Sequence, residues 1–595
     1  NVDKSEMAIV PKFMTDDTEL YRKSVEGFFD ERTESMISTY GIMTSDFKKI
    51  VPPESSETNF KLESEWVDFI NSTELPFYTY GIFFMYCPLS RQTVPMNMRK
   101  FKSVLYDKYD GNIEAMNRDL SSDFPAWHSL FVQQSDYLVR IQMPNFSKFM
   151  MYYREFKVKQ PQNMRYYVSV EGFYKTVFLK ALYTKNIENY NKVHKTNYTS
   201  WKQVLLPRKY PTGKEYTDKQ KSDWLDFTRN LLNTVWIRAE QAAAPLFRQY
   251  LKARYDGNIK QLNELYGTQY DSFEQIFLYD DAPLRGRQVV DWTGFIQGWR
   301  DPKTGKLHIL PKEMIRIHSV DFMFRDYLLE KYKSLDGINR AVSNKYTSTL
   351  QIFPPQQLSQ YLYIKRHKSM LRWEFVKRNF VSVSDYIILH GRGVANTFIY
   401  CSLAIFFALV VNPLAAYALS RYKPPSQYKV LLFLMLTMAF PPMVMQIPTF
   451  LMLREFDLLN TFAALILPGL ANGYSIFLLK GFFDSLPREL YESAELDGAG
   501  EVRIFLQITM NLSKPILAVI ALTAFNNSYA NFMMALLICQ DEKMWTLMPW
   551  LYQLQQKSGD GVIFASLLIA AVPTFMIFVL CQNVIMRGIV VPTEK

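Results

Sequence analysis

From Thr397 onward the chain carries five apolar runs, while its first 390 residues carry none of comparable length. Each run is close to the ~20 residues that an α-helix needs to cross a bilayer. The runs cover 397–419, 430–453, 461–479, 516–539 and 562–585. Backbone groups in hydrocarbon must find partners within their own segment, so such runs resolve as helices packed in a bundle. The expected fold is all-α: a polytopic membrane helical bundle over 391–595, preceded by a mostly α-helical domain over 1–390.

Basic residues in the short loops set the orientation. Arg421, Lys423 and Lys429 follow the first run with no acid among them, which places that loop in the cytoplasm. The next loop, Arg454-Glu455-Phe456-Asp457, is net acidic and falls outside. Alternation then places 480–515 inside, 540–561 outside, the tail with Arg587 inside, and residues 1–390 on the extracytoplasmic side. Pro441 and Pro442 interrupt the second run, freeing backbone carbonyls that need a neighbouring helix or a wet cavity. They mark a kink beside a candidate solute path. Asn526, Asn527 and Asn531 lie in the fourth run. Amides at that depth face a bundle interior, either lining the path or joining helices to one another.

The segment 481–515 is charged, helix-forming and set between two apolar runs. Ser485 is placed to cap a helix, with Pro487 in the first turn and Glu489 near the positive end of the dipole. Leu486, Leu490 and Ala494 recur at i+4 and form one apolar face. Gly498 and Gly500 stop the helix. A second run gathers Val502, Phe505, Leu506 and Thr509 on one side. An apolar face flanked by Glu492, Glu495 and Asp497 suits a groove lined by basic residues.

The stretch Glu492-Ser493-Ala494-Glu495-Leu496-Asp497-Gly498-Ala499-Gly500 resembles the EAA loop of permease subunits in binding-protein-dependent ABC importers. Further pieces fall in the order seen in the second-permease type of the maltose-type carbohydrate family. They are Asn396-Thr397, the 415–421 stretch, Pro441, Ile447-Pro448, 458–461, 482–490, Asn526-Asn527 and Trp545-Thr546-Leu547. The resemblance covers roughly 396–590. One departure is Met510-Asn511, where the family has Leu-Pro.

The resemblance implies a bacterial inner-membrane permease that docks a cytoplasmic ATPase through Leu490, Glu492, Ala494, Asp497, Gly498 and Ala499. It also implies a second permease subunit, two ATPase subunits that bind the ATP, an extracytoplasmic solute-binding protein, a carbohydrate solute and a lipid surround. Relatives usually have six spans. One span is therefore expected upstream of Asn1, making residues 1–390 an enlarged first outside loop, with a cleaved signal peptide as the alternative.

No G-x-x-x-x-G-K-[ST] occurs, so no P-loop cradles a nucleotide in this chain. The four cysteines (Cys87, Cys401, Cys539, Cys581) and six scattered histidines form no metal-ligand spacing, and no cofactor is expected. The first 390 residues carry most of the net charge of +11, with both signs interspersed. That pattern describes a solvated surface rather than a nucleic-acid face.

The front half repeats itself. Tyr109, Ile113, Asn117, Phe124 and Trp127 recur as Tyr183, Ile187, Asn191, Tyr198 and Trp201. They recur again as Tyr255, Ile259, Asn263, Tyr270 and Phe273, and in weaker form as Tyr332, Leu335, Asn339, Tyr346 and Thr349. A fainter copy spans 38–50. The period is about 75 residues, the mark of tandem units. Tyr, Ile and Asn at a spacing of four share one helical face, and Ser272 is placed to cap the short helix that follows. The repeated asparagine is read as a turn-fixing amide and Trp127, Trp201 and Phe273 as core.

The function expected is that of a transport subunit without enzymatic activity. Two rivals stand beside it: an extracytoplasmic glycan-processing enzyme fused to a permease, and a transport-inactive scaffold or sensor. The repeat motif looks like a segment of some glycoside hydrolases, but no pair of placed carboxylates is evident in the sequence.

Overall fold

The computed structural model describes residues 12–29, 33–44, 46–53, 59–82, 85–86, 96–133, 137–161, 165–389, 392–439, 441–556 and 560–587. Cys87 and the region upstream of Lys12 lie outside them. Contacts divide the chain into a front unit, up to Phe375, and a second unit from Val376 on.

The front unit is built from helical hairpins. The pairs are Met96–Lys108 with Ile113–Leu120, Lys180–Tyr183 with Ile187–His194, Ala244–Arg254 with Ile259–Tyr266, and Val320–Tyr332 with Leu335–Val342. Each pair is followed by one turn of 3-10 helix, at Trp127–Ser129, Trp201–Gln203, Phe273–Gln275 and Thr349–Gln351. The tyrosine and isoleucine of the motif do not share a helix as the spacing suggested. Asn112, Asn186, Asn258 and Ser334 N-cap the second helix with their side chains, and the chain turns between the two residues. Ser272 does hold the N-cap position of its 3-10 turn, but its side chain makes no capping bond.

The repeated asparagine has one job in all four places. Its Nδ2 donates to the carbonyl seven residues on: Phe124, Tyr198 and Tyr270 at 2.8 Å, and Tyr346 at 2.9 Å. Its Oδ1 accepts the backbone N–H of that same residue at 2.9–3.1 Å. The amide thus pairs with the backbone as a neighbouring strand would, holding the loop shut after each helix. Trp127 and Trp201 add a second clasp, each Nε1 donating to a carbonyl 16 residues earlier, Gly111 and Lys185, at 2.9 Å. Trp127, Trp201 and Phe273 are all buried.

A third helix closes three of the hairpins through a pattern absent from the sequence reading. Asp223-Trp224, Asp291-Trp292 and Glu65-Trp66 each set a carboxylate beside a fully buried tryptophan, with Phe227, Phe295 and Phe69 one turn on. The carboxylate accepts the hairpin tyrosine: Tyr183 to Asp223 at 2.6 Å, Tyr255 to Asp291, and Tyr332 to Glu65 at 2.7 Å.

For the last hairpin this third helix, Phe60–Ser72, comes from the opposite end of the front unit. Asn59 Nδ2 donates to Val342 O at 2.8 Å, and Trp66 packs edge-on to Phe324 with ring centroids 5.2 Å apart. The helix that follows the last hairpin, Gln356–Arg366, packs instead on the first helices: Tyr361 meets Tyr21 at 5.4 Å and Tyr40 bonds Gln360. The two ends of the front unit have exchanged their third helices. Three two-stranded antiparallel ribbons, among them Ile237–Ala239 with Ile315–Ile317, complete the described strands.

In the second unit, Gly393–Arg421 is the central helix and packs along Gly473–Asp484 and Lys514–Tyr529. Two described helices are long and apolar enough to span a membrane, Gly393–Arg421 and Gly561–Gln582. Two bent pairs, Phe462–Gly469 with Gly473–Asp484 (52°) and Glu501–Leu512 with Lys514–Tyr529 (83°), bring the number to four if each pair is one span.

The expected second run is not one helix. It divides into Gln427–Ala439 and Pro442–Glu455, because Pro442 lacks the N–H that would continue the ladder. The expected fourth run also stops short. Its helix ends at Tyr529 and Met533–Ile538 is separate, so Asn531 lies in the break, its N–H turned back to Ser528 O at 3.3 Å.

Candidate translocation cavity and docking loop

A cavity of about 320 Å³ opens where helix 462–469 bends into 473–484, against the middle of Gly393–Arg421. Its polar lining is Tyr400, Asn412, Asn472, Ser475, Thr523, Asn527, Ser528 and Asn531, and no charged side chain is among the lining residues. The bend itself is held by amides. Asn412, almost fully buried beside Pro413, accepts the backbone N–H of Asn472 at 2.9 Å, and Asn472 Oδ1 caps the next helix at Ser475 N, also 2.9 Å. Asn531 Nδ2 donates to Tyr400 Oη at 2.9 Å across the cavity.

Of the residues singled out in the sequence, Asn527 and Asn531 line this cavity. Asn526 sits on the exposed side of its helix. Pro441 holds the N-cap position at the helix break, with Pro442 opening the helix that follows, and Pro441 is not among the lining residues. Asn412, Asn472 and Tyr400 were missed. A polar residue beside Pro413, and one three residues ahead of a capped serine, were the available signals.

Segment 481–515 folds as two short helices, Arg488–Leu496 and Glu501–Ile504, the second running on through a π-turn at Phe505–Thr509. Gly498 takes φ +75°. The N–H of Ala499 bonds Ala494 O and that of Gly498 bonds Glu495 O, both at 3.0 Å. This is a Schellman stop, which a residue bearing a Cβ would strain.

Ser485 does not cap this helix. It ends the preceding one, its hydroxyl donating to Phe482 O at 2.6 Å, and Pro487 holds the N-cap position. The apolar face also differs from the expected one. Tyr491, not Leu490, is buried against the bundle, its hydroxyl 3.1 Å from Thr509 Oγ1, with Leu486 and Ala494 beside it. Burial pushes the Tyr491 phenol above its ordinary range, so it stays protonated. The π-turn splits the second run. Phe505 and Thr509 face inward, while Val502 and Leu506 face out.

The loop therefore has two faces. Glu501 accepts Tyr417 Oη at 2.8 Å, and Arg421 pairs with Glu495, tying the inner face to Gly393–Arg421. On the outer face Leu490 (42 % exposed), Leu496 (89 %), Val502 (72 %) and Leu506 (55 %) stand in the open. Glu492 and Asp497 are exposed among them and form no ion pair with a described residue.

In the front unit, Asp321 is the one described carboxylate pushed upward, through burial first and the neighbouring Glu171 second. Its oxygens accept Ser169 Oγ at 2.8 Å, Ser319 Oγ at 3.1 Å and the Glu171 N–H at 3.3 Å. It is a buried joint between helices, closed to a substrate. No group of three or more potential metal ligands occurs among the described residues.

Comparison with known proteins agrees with the second unit. Residues 403–590 match the family model described as the binding-protein-dependent transport system inner membrane component. Diacetylchitobiose uptake system permease protein NgcG of Streptomyces coelicolor is 27% identical over 199 residues, 32% of this chain and 66% of that protein. Protein LplC of Bacillus subtilis is 34% identical over 165 residues, 25% of this chain and 56% of that protein. The chain thus spans less than two thirds of the length of either relative. The sn-glycerol-3-phosphate transport system permease protein UgpE of Yersinia pestis is 28% identical over 204 residues, 34% of this chain and 73% of that protein. Over residues 403–590 this chain is thus similar to the inner-membrane components of binding-protein-dependent transport systems.

Proposed function

We propose that the chain is a permease subunit of an ATP-driven importer for a neutral, hydroxyl-rich solute, a carbohydrate, in a bacterial inner membrane. The observation that carries this reading is the two-faced loop. Its inner face is bonded to the central helix, and its outer face offers Leu490, Leu496, Val502 and Leu506 beside the unpaired Glu492 and Asp497. Exposed apolar side chains ringed by free acids suit a groove with an apolar floor and basic rims on a separate ATPase. Ala494, Gly498 and Ala499 form the stop that shapes this face. Closure of two ATPases would move the loop and, through the rigid helix 393–421, the walls of the cavity.

The cavity supports the choice of solute. Amides and hydroxyls can exchange hydrogen bonds with a sugar, and there is no cation to hold a phosphate. The path is completed by a second permease subunit, and an extracytoplasmic binding protein delivers the solute. Residues 1–390 are read as an extracytoplasmic domain of tandem units that receives that protein. The four asparagine clasps, alike in their two backbone bonds, and the three acid-Trp-x-x-Phe helices support common units of about 75 residues.

Reconstitution with the partner permease, ATPase and binding protein tests this. ATP-dependent uptake of a neutral saccharide is expected, and it is abolished by Glu492→Lys with Gly498→Pro. Undiminished uptake by that double variant would overturn the proposal.

A further inference from the structure

A second cavity, of about 330 Å³, lies wholly within the front unit, between helix Arg287–Gln297, the end of helix Ala244–Arg254 and the loop 139–144. Arg140 and Arg254 both line it, and no aspartate or glutamate does. Arg254 has a counter-charge, since its Nε lies 2.6 Å from Asp291 Oδ1. Arg140 has none among the described residues. Its Nε donates to Leu232 O at 2.9 Å and its Nη2 to Thr228 O at 2.7 Å, while Nη1 is buried without a partner. Burial alone lowers this guanidinium to about 10, and no acid offsets that shift.

A half-buried guanidinium held by two neutral carbonyls is fixed in place but not neutralised, and it is poised to accept an anion. The opposite wall, on helix Arg287–Gln297, is lined by polar side chains. Gly294 lets the helix pass close to the Tyr250 hydroxyl, which a Cβ would meet at 2.7 Å, and Arg254 Nη1 lies beside it at 3.5 Å from that position. Thr293 and Gln297 flank it, one helical turn apart, with no hydrogen bond to another described side chain. Planar guanidinium forks bind carboxylate and phosphate oxygens in pairs, and hydroxyl and amide groups bind the sugar-like body that carries them.

We propose that this cavity binds a small oxyanion-bearing, hydroxylated ligand, its anionic group held by Arg140 and Arg254 and its hydroxyls by Thr293 and Gln297. The proposal does not rest on the importer reading. The ligand also differs in charge class from the solute suited to the uncharged cavity of the second unit.

The test is isothermal titration of the full chain in detergent micelles with sodium glucuronate, inorganic phosphate and glucose, each at millimolar concentration. Saturable binding of glucuronate or phosphate is expected, and none of glucose. Glucuronate bound more tightly than phosphate carries the proposal; phosphate bound as tightly as glucuronate would overturn the role given to Thr293 and Gln297. Arg140→Gln should weaken binding roughly tenfold or more. Thr293→Phe leaves both arginines in place and fills the cavity, and it should abolish binding, which keeps the test open if Arg140→Gln does not fold. Failure of glucuronate and phosphate to bind the parent, or equal binding to parent and both variants, would overturn the proposal.

Discussion

Replacing Asn263 by alanine removes three hydrogen bonds at one point. Nδ2 donates to Tyr270 O at 2.8 Å, Oδ1 accepts the Tyr270 N–H at 3.0 Å, and Oδ1 also accepts Thr268 Oγ1 at 3.0 Å. Each is worth about 1 kcal/mol net, and a half-buried site lets water restore part of the loss. The local cost is therefore about 2 kcal/mol, which corresponds to roughly a 30-fold fall in protection. Hydrogen–deuterium exchange at the Tyr270 amide reads it directly, since that amide loses its acceptor.

Asn117 and Asn191 make the same three bonds, with Ser122 and Thr196 as hydroxyl donors, and should respond alike. Asn339 has only the two backbone bonds, with Asn344 at the hydroxyl position, and should lose about 1 kcal/mol less. Asn263→Asp keeps the acceptor and loses the donor, so it should fall between alanine and the parent. Unchanged protection in Asn263→Ala, or a larger loss at Asn339 than at Asn263, would refute the clasp as the source of hairpin stability.

Lys157 is buried, faces Tyr166 at 5.8 Å and is lowered to about 7, by burial first and Arg165 second. A lysine depressed in the folded state binds its proton more readily when unfolded, so front-unit stability rises with pH between about 7 and the unfolded lysine value near 10.4. Thermal melts from pH 7 to 9 should show the rise, and Lys157→Met should flatten it while raising the melting point at pH 7. A fall in stability over that range in the parent alone would contradict the assignment. Trp66→Ala empties the core of the last hairpin and should cost about 3–5 kcal/mol. Because Trp66 is in the helix exchanged between the two ends, proteolysis should open near the last hairpin, around 320–350, rather than beside residue 66 alone; cleavage confined to 60–72 would count against the exchange.

In the second unit the helix stop of the 481–515 loop was legible because its signal is local. Gly498 reads as a stop wherever a helix ends in a charged loop, and the φ of +75° follows from that. Leu490 was misplaced because period counting assumed a helix starting at Ser485. Pro487 starts it later, and Tyr491, an aromatic with a polar tip, reaches the bundle instead. The bend at Asn472 was hidden because its stabilising partner, Asn412, lies 60 residues away. In the front half the asparagine period was visible, since its bond spans seven residues. The exchange of Phe60–Ser72 and Gln356–Arg366 was not, because it joins positions at opposite ends of the front unit. The shared acid-Trp pair at 65, 223 and 291 was the overlooked clue.

The central claim, that the outer face of 481–515 grips an ATPase, is tested most directly by site-specific crosslinking at Leu496, which is 89 % exposed. A short crosslinker on Leu496→Cys, in membranes that carry the assembled and transport-competent complex, should join this chain to the nucleotide-hydrolysing subunit. The yield should change when ATP is added. Robust transport with no crosslink to that subunit, or labelling of Leu496→Cys only from the extracytoplasmic side, would contradict it.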